Sequence, residues 1–404
     1  MRPQVPPEAE RASAPRTGWN RGFAADLLEN LPPPSSAPWD LAVVGLGGSG
    51  LAALEAAADR GLRAIGLDAR GVGAGAAGAN GGFLLAGLAD FHHHAVEHHG
   101  RDWVRWVHRR TEAAIRSMAL RDPDLVQVRG SLRRWDSLEE KDDIRAHFEA
   151  LRRDGLDARW WPDRGLFLPN DAAFDPLRLC RRTARRLKAR GVVLARCAVD
   201  RVEPGWVHGR TGSVSARRIL VATDGGLAQL FAELAGRCRT VRLQMASTEP
   251  ASPPTEAGRM PVYSRYGYDY WQQRPDGRWM VGGGRDLDPA AELDAGRGMS
   301  GRLRGVPARD PVQRHLDQLL VHRIGTSAPA VRRWAAPVGY TNDGLPILEQ
   351  VRPDVWALGG YAGTGNVLGR LLGPAAVESA MGCSGWWTGR WLERLGGRRG
   401  RLNR

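Results

Sequence analysis

The stretch DLAVVGLGGSGLAALEAAADRGLRAIGLDA (residues 40–69) constrains this chain more than any other. A short apolar run, Leu41 to Val44, has no polar alternation, so it reads as a strand buried on both faces. LAALEAAADR (51–60) is a run of strong helix formers closed by Gly61 at the C-cap position, and RAIGLD (63–68) returns as a second strand. Strand, crossover helix and strand in about thirty residues make a parallel unit. Between its first two elements lies Gly45-x-Gly47-x-x-Gly50. Gly45 permits a tight turn, Gly47 clears space where a pyrophosphate nears the backbone, and Gly50 lets helix and strand pack closely. The helix start offers unpaired N–H groups and a positive dipole end to phosphates. Asp68, closing the second strand, is placed to accept hydrogen bonds from a ribose diol. An acid there argues against a 2′-phosphate, hence against NADP, and leaves NAD and FAD open.

The rest of the chain supplies a larger α/β framework. Residues 71–90 are dense in Gly and Ala, as where backbone turns sharply or meets a ligand. Residues 91–160 read as mainly helical, 176–190 as a basic helix, 191–194 as a strand, 199–214 as a meander and 218–223 as a buried strand. Strands over 241–285 carry aromatics at short spacing (VYSRYGYDYWQQ), with a hairpin signal at Pro275-Asp276-Gly277. Residues 306–323 read as helical, and 355–378 repeat the strand, Gly-rich turn and helix order. Residues 1–37 are rich in Pro, Ala and Arg, with one short helical stretch around Phe23 to Leu31 and a linker-like LPPPSSAP.

Composition removes several classes. With 404 residues, 42% of them hydrophobic, the chain is neither disordered throughout nor collagen-like. No uninterrupted apolar run is long enough to span a bilayer. The first eighteen residues hold no apolar signal core, which points to a cytoplasmic location. Four scattered cysteines, without a Cys-x-x-Cys pair, read as reduced thiols. The net charge of +14 could serve a nucleic-acid surface, but only Lys141 and Lys188 among 58 basic residues are lysines. Arginines spread among acids look like codon bias, so no nucleic-acid partner is assigned.

Further blocks occur in a definite order: GVGAGAAGANGG, LPNDAAFDPLRL, GVVLARCAVDRVE, RILVAT, RPDGRWMVGGGRD, GYTNDGLPIL and ALGGYAGTGNVLGRLLG. With the N-terminal fingerprint they resemble the D-amino-acid oxidase-like flavoprotein family, which includes glycine oxidase, sarcosine oxidase and gamma-glutamylputrescine oxidase. The resemblance spans roughly residues 38–380. It implies an α/β fold with a Rossmann-like FAD domain (38–90, 170–235 and 330–382) and a substrate domain on a mixed sheet (91–169 and 236–329). An N-terminal extension (1–37) and a basic tail (383–404) flank them. By similarity, Gly45, Gly47, Gly48, Ser49, Gly50, Asp68 and Ala69 would hold the AMP half and pyrophosphate of FAD. Ala77, Asn80, Gly81 and Gly82 would pass near the phosphates and flavin, Val199 would meet the adenine, and Thr223 the pyrophosphate. Gly360, Gly363, Thr364, Gly365 and Asn366 would start a helix aimed at the flavin's N1–C2=O edge, where its dipole stabilises negative charge.

The resemblance implies oxidation of the carbon next to an amine, hydride transfer to flavin N5, and hydrolysis of the imine. The partners implied are a small amine or amino-acid substrate and molecular oxygen or another acceptor. Two departures matter. Relatives of glycine oxidase carry an arginine, the carboxylate grip, where this chain has Val338 within WAAPVGYTNDGLP. The acid, if the substrate has one, must be held elsewhere, and Arg265 is a candidate. Neither lysine falls where sarcosine-oxidase-like members activate oxygen. Tyr270, Tyr268 and Tyr340 are the candidate substrate-side residues, with Tyr361 near the flavin; strand alternation lets at most half the aromatics of 263–271 face one side. His92, His93, His94, His98 and His99 read as a polar helix start, and no metal is assigned. Trp386, Trp387 and Trp391 read as packing of a final helix. Two other readings stay open: the same fold acting on a modified tRNA base, and a flavin- or nucleotide-binding protein without catalysis.

Overall fold

Apolar strands covered on both faces collect at the centre of a layer. In the computed structural model Leu41–Val44 is buried at every residue and Ala64–Asp68 at all but its last. The model describes residues 17–19, 27–33, 37–251, 258, 260–293, 301–302, 310–383 and 391. The two strands pair in parallel, Leu41 opposite Ala64 and Val44 opposite Leu67. They lie within a six-stranded sheet ordered Ile347–Arg352, Val355–Gly359, Ile219–Val221, Leu41–Val44, Ala64–Asp68 and Val193–Arg196. All pairings are parallel except that of the first two strands.

The crossover helix Gly48–Asp59 packs on this sheet against the C-terminal helix Gly365–Ala380. A Cβ on Gly373 would stand 2.4 Å from the Ser49 carbonyl, so only glycine allows this approach. Gly50 is tighter still: its Cβ would meet the Gly45 oxygen at 1.9 Å.

A second sheet, of nine strands, runs in the order Gly301–Arg302, Ala330–Thr341, Cys238–Pro250, Arg278–Gly283, Asp269–Gln273, Val262–Ser264, Ser131–Arg133, Gly165–Leu168, Arg159–Trp161. The turn Arg274 to Arg278 closes the hairpin marked by Pro275-Asp276-Gly277, with Gly277 at φ +82°. Helices His92–His99, Arg101–Arg121, Leu138–Arg153 and Pro176–Ala189 fill the stretches read as helical, and Pro311–Gln318 the later one. Ala330–Thr341 pairs with Cys238–Pro250 along most of its length. We therefore propose that the domain boundary falls after Thr341 and not at residue 330.

The N-terminal region departs from expectation at two places. Residues 27–31 of the stretch read as helical are extended, and Phe23 to Asp26 lie outside the described residues. The Glu29 N–H donates to Leu194 O and its carbonyl accepts from Arg196 N, covering the edge strand Val193–Arg196. Open edge groups outcompete weak helix propensity here. Thr17 to Trp19 are buried, with Trp19 3% exposed among Met245, Met280 and Trp334. Trp386 and Trp387 lie outside the described residues, while Trp391 is fully buried beside Trp103. No helix among the described residues is long and apolar enough to cross a membrane.

Candidate active site

A cavity of about 1230 Å³ runs from the glycine fingerprint to the face of the nine-stranded sheet. Its first half is mostly backbone. Gly45, Gly47, Gly48, Ser49, Asp68 and Ala69 line it, with Ala77, Asn80, Gly81, Val199 and Thr223, and Gly363, Thr364, Gly365 and Asn366 line the adjoining part. Gly50, Gly82 and Gly360 do not. Gly50 serves helix–strand contact, and a Cβ on Gly82 would strike the Phe174 carbonyl at 2.5 Å. The Gly360 N–H points to the Asp224 carboxylate, at 2.9 Å.

Two helices begin at this cavity without a side-chain cap or an acidic first turn, Gly48–Asp59 and Gly365–Ala380. Their leading N–H groups therefore need an outside acceptor. A Cβ on Gly48 would meet nothing within 4 Å. The Thr223 hydroxyl is buried there without a hydrogen-bond partner. Uncapped N-termini, open glycine backbone and an orphaned hydroxyl are the donor set a diphosphate requires.

Asp68 takes part in shaping the loops. Its carboxylate accepts from Leu46 N at 3.0 Å, and from Arg70 N and Gly71 N at 2.9 Å. Asn80 and Asn366 bond to each other: Asn80 Nδ2 donates to Asn366 Oδ1 at 2.9 Å, and Asn366 Nδ2 donates to Asn80 Oδ1 at 3.1 Å. Their side chains clamp two loops, leaving their backbones to line the cavity. The carbonyls of the Gly-rich loop are held from the other side. Trp334 donates to Ala79 O at 2.8 Å, Trp19 to Asn80 O at 2.9 Å and Gln272 to Gly82 O at 3.1 Å.

Asp224 organises the meeting of both sheets and left no signal in the sequence. Held at φ +51°, it accepts from Gly360 N and Tyr361 N on one oxygen and Gly339 N on the other. Burial raises its pKa while those backbone N–H groups pull the other way.

The second half of the cavity is made of side chains. Across the sheet, Arg133 pairs with Tyr263, Tyr263 with Tyr270, and Tyr270 with Gly282. Directly paired residues share a face. A Cβ on Gly282 would lie 2.4 Å from the Tyr270 ring, so the ring lies over that glycine. Tyr263, Tyr270, Tyr340 and Tyr361 line the cavity. Burial raises all four hydroxyls, keeping them neutral hydrogen-bonding groups at ordinary pH. Tyr268 does not line it; its ring supports the Arg285 guanidinium at 4.4 Å, with Tyr340 at 4.9 Å.

Val338 and Tyr340 both line the cavity and sit two residues apart on one strand face. A side chain at 338 does point at this space. Arg265 is not the substitute grip: it bonds the Asp269 carboxylate at 3.2 Å and also reaches Asp286. Arg285 lines the cavity instead and makes no ion pair among the described residues. Sequence reasoning missed it because only the fold stacks it on Tyr340, beside Val338. Neither lysine is in the cavity; Lys188 pairs with Glu29 and Lys141 lies over Trp135.

The histidines form the helix His92–His99. His92 meets Asp154 at 2.7 Å, and His93, His94 and Asp143 bring ligand atoms within 4.8 Å of one another on a partly exposed surface. Cys180, Cys197 and Cys238 are buried free thiols and Cys383 is exposed. Burial raises Cys180 to about 11.

One cavity thus joins two uncapped helix starts and glycine backbone to an aromatic sheet face. The family model for FAD dependent oxidoreductases matches residues 40–378, and the chain belongs to that family, a family of FAD flavoproteins. It is 25% identical over 378 residues to "Probable oxidoreductase OrdL" of Rhizobium meliloti (strain 1021), covering 87% of this chain and 85% of that one. Among solved structures it resembles glycine oxidase from Geobacillus kaustophilus, with TM-score 0.69 and 18% identity over 87% of this chain and 96% of that one. It also resembles iminodiacetate oxidase from Chelativorans sp. BNC1, with TM-score 0.64 and 18% identity over 85% and 95%. These likenesses place the fold.

Proposed function

We propose that the protein oxidises the C–N bond of an amine or amino acid at the junction of the cradle and the sheet face. One observation carries this reading: a single cavity joins the diphosphate-binding backbone to a wall of neutral tyrosines and an unpaired arginine. FAD, when bound, would supply the acceptor for a hydride equivalent from the carbon beside nitrogen, the imine so formed being open to hydrolysis by water. Gly45 to Ser49 and the Gly365 helix start would hold the diphosphate and the flavin edge. Tyr270, lying over Gly282 and against Gly81, walls the reacting end and excludes water. The Tyr263 and Tyr340 hydroxyls, neutral and buried, orient the amine by hydrogen bonds without competing for its proton. Arg285, with its plane fixed by Tyr268 and Tyr340, replaces the missing grip at 338 and takes a carboxylate on its free edge.

An anaerobic titration of the FAD-loaded protein with N-methyl amines, polyamines and amino acids tests the proposal. Bleaching of the flavin absorbance by at least one amine is expected. A protein that takes up no FAD, or stays yellow with every amine, sinks it.

A further inference from the structure

Arg133 stands at the far end of the row that carries Tyr263 and Tyr270, and it lines the same cavity. The row places it two strand spacings from Tyr270, about 10 Å along the sheet. Its guanidinium lies 5.6 Å from the Phe91 ring centre and 5.8 Å from that of Tyr263. It makes no hydrogen bond or ion pair among the described residues, and its Nε is buried without a partner. The acids nearest in charge are engaged elsewhere. Asp171 accepts from the Ser131 hydroxyl and Ala86 N, and Glu140 from Asp136 N and Tyr266 N. An arginine keeps its charge at ordinary pH, and a half-buried guanidinium with acids nearby but none bonded to it favours an anion that can reach it. Burial and the absence of a paired acid already press on this group, whose pKa is lowered by desolvation. A planar fork flanked by rings, with its Nε buried and unpartnered and a cavity in front, is matched by a carboxylate.

We infer that Arg133 forms a second anion subsite, so that the preferred substrate is an amine bearing two carboxylates. One is held at Arg285; the other, several bonds from the reacting carbon, is held at Arg133. The inference rests on the amine-oxidation reading for the word "substrate" and on the cavity alone for the subsite. Nothing at position 338, nor any fingerprint glycine, supplies this second grip. The two arginines flank the tyrosine wall from different elements, Arg133 from a strand and Arg285 from the turn after Arg278–Gly283: Arg133 lies over Tyr263, Arg285 over Tyr268 and Tyr340. An amine with only one carboxylate would leave the Arg133 guanidinium without a bonded anion, which gives discrimination by charge and not by size.

The test uses the FAD-loaded full chain and unreactive acids, read by the perturbation of flavin absorbance on titration. Adipate carries two carboxylates, and valerate is a shorter monoanionic control. Adipate is expected to bind at least about tenfold tighter than valerate. Arg133→Met should weaken adipate by about 10- to 100-fold, the range for hydrogen bonds to charged groups, and leave valerate within about twofold. Arg133→Lys should restore part of the loss, because a point charge replaces the fork. An unchanged FAD-to-protein ratio in both variants shows that the fold is intact. Equal binding of the two acids, no adipate binding at all, or an Arg133→Met loss shared by valerate would overturn the subsite. The two proposals separate cleanly: charge discrimination with no amine able to bleach the flavin removes the reaction and keeps the subsite. Bleaching by amines regardless of a second carboxylate does the reverse.

Discussion

The two halves of the cavity are built on opposite plans. The cofactor half is a set of backbone surfaces: glycines, uncapped helix starts and loops whose side chains bond one another, as Asn80 and Asn366 do. The other half is a set of side chains, with Arg133, Tyr263, Tyr270 and Tyr340 converging from separate strands and Arg285 from the turn after Arg278–Gly283. Backbone sites tolerate almost no change in local geometry. Side-chain sites can trade one residue for another without moving the backbone. The first plan preserves a cofactor, while the second lets substrate choice drift on the same scaffold.

The largest effect that would break this contrast is expected at Gly50. Gly50→Ala puts a methyl 1.9 Å from the Gly45 oxygen, which overpacks rigid backbone by about 3 kcal/mol or more. The purified variant should lose its 450 nm flavin absorbance relative to 280 nm; a fully yellow Gly50→Ala would mean the cradle is not where we place it. Next comes Asp224→Ala, which orphans the N–H groups of Gly339, Gly360 and Tyr361. About 1–3 kcal/mol for each buried donor should appear as a large drop in urea midpoint, with Asp224→Asn milder. If the alanine variant is as stable as the parent, Asp224 does not tie the sheets together.

Gly282→Ala sharpens the comparison from the other side. Its methyl would lie 2.4–2.6 Å from the Tyr270 ring, so the ring must move. Reactivity toward an amine that bleaches the parent should fall about tenfold to a hundredfold, as sub-ångström misplacement does. FAD content should stay the same, and a loss of both together would erase the division into halves.

The smallest effect concerns pH. His147 is held well below its usual pKa, by burial first and then by Arg133 and neighbouring histidines; burial lowers His92 too, against the pull of Asp154. His147 Nδ1 accepts from His92 N at 2.8 Å, which requires the neutral ring. Both shifts are downward, so the unfolded chain binds more protons below about pH 6.5. Stability is complete above that pH and declines as pH falls toward the folded values. Melting temperature should drop by roughly 2–4 °C between pH 7 and 5.5, and less in His147→Gln. A flat profile in the parent would count against neutral burial.

Much of the cofactor half was legible because its information is local. Gly45, Gly47 and Gly50 follow a strand and open a helix, and those jobs belong to neighbours in sequence. Where the reading slipped, distance was the cause. Residues 27–31 follow the edge of Val193–Arg196 because that edge needs partners, and helix propensity in a short segment is too weak to resist. Tyr268 was placed against substrate, yet it braces Arg285. Asp224 gives no local signal, because its partners Gly339, Gly360 and Tyr361 lie more than a hundred residues away.

By itself the sequence determined the parallel crossover unit, its glycine-rich turn and the aromatic strands, since period, glycine spacing and apolar runs act through nearest neighbours along the chain. Only the tertiary structure decided which charges remain free. Arg265 was claimed by Asp269 and Asp286, while Arg133 and Arg285 were left facing the cavity. Whether an arginine is neutralised depends on which carboxylates the packed sheet brings within 4 Å, and that is set by strand order, not by sequence separation.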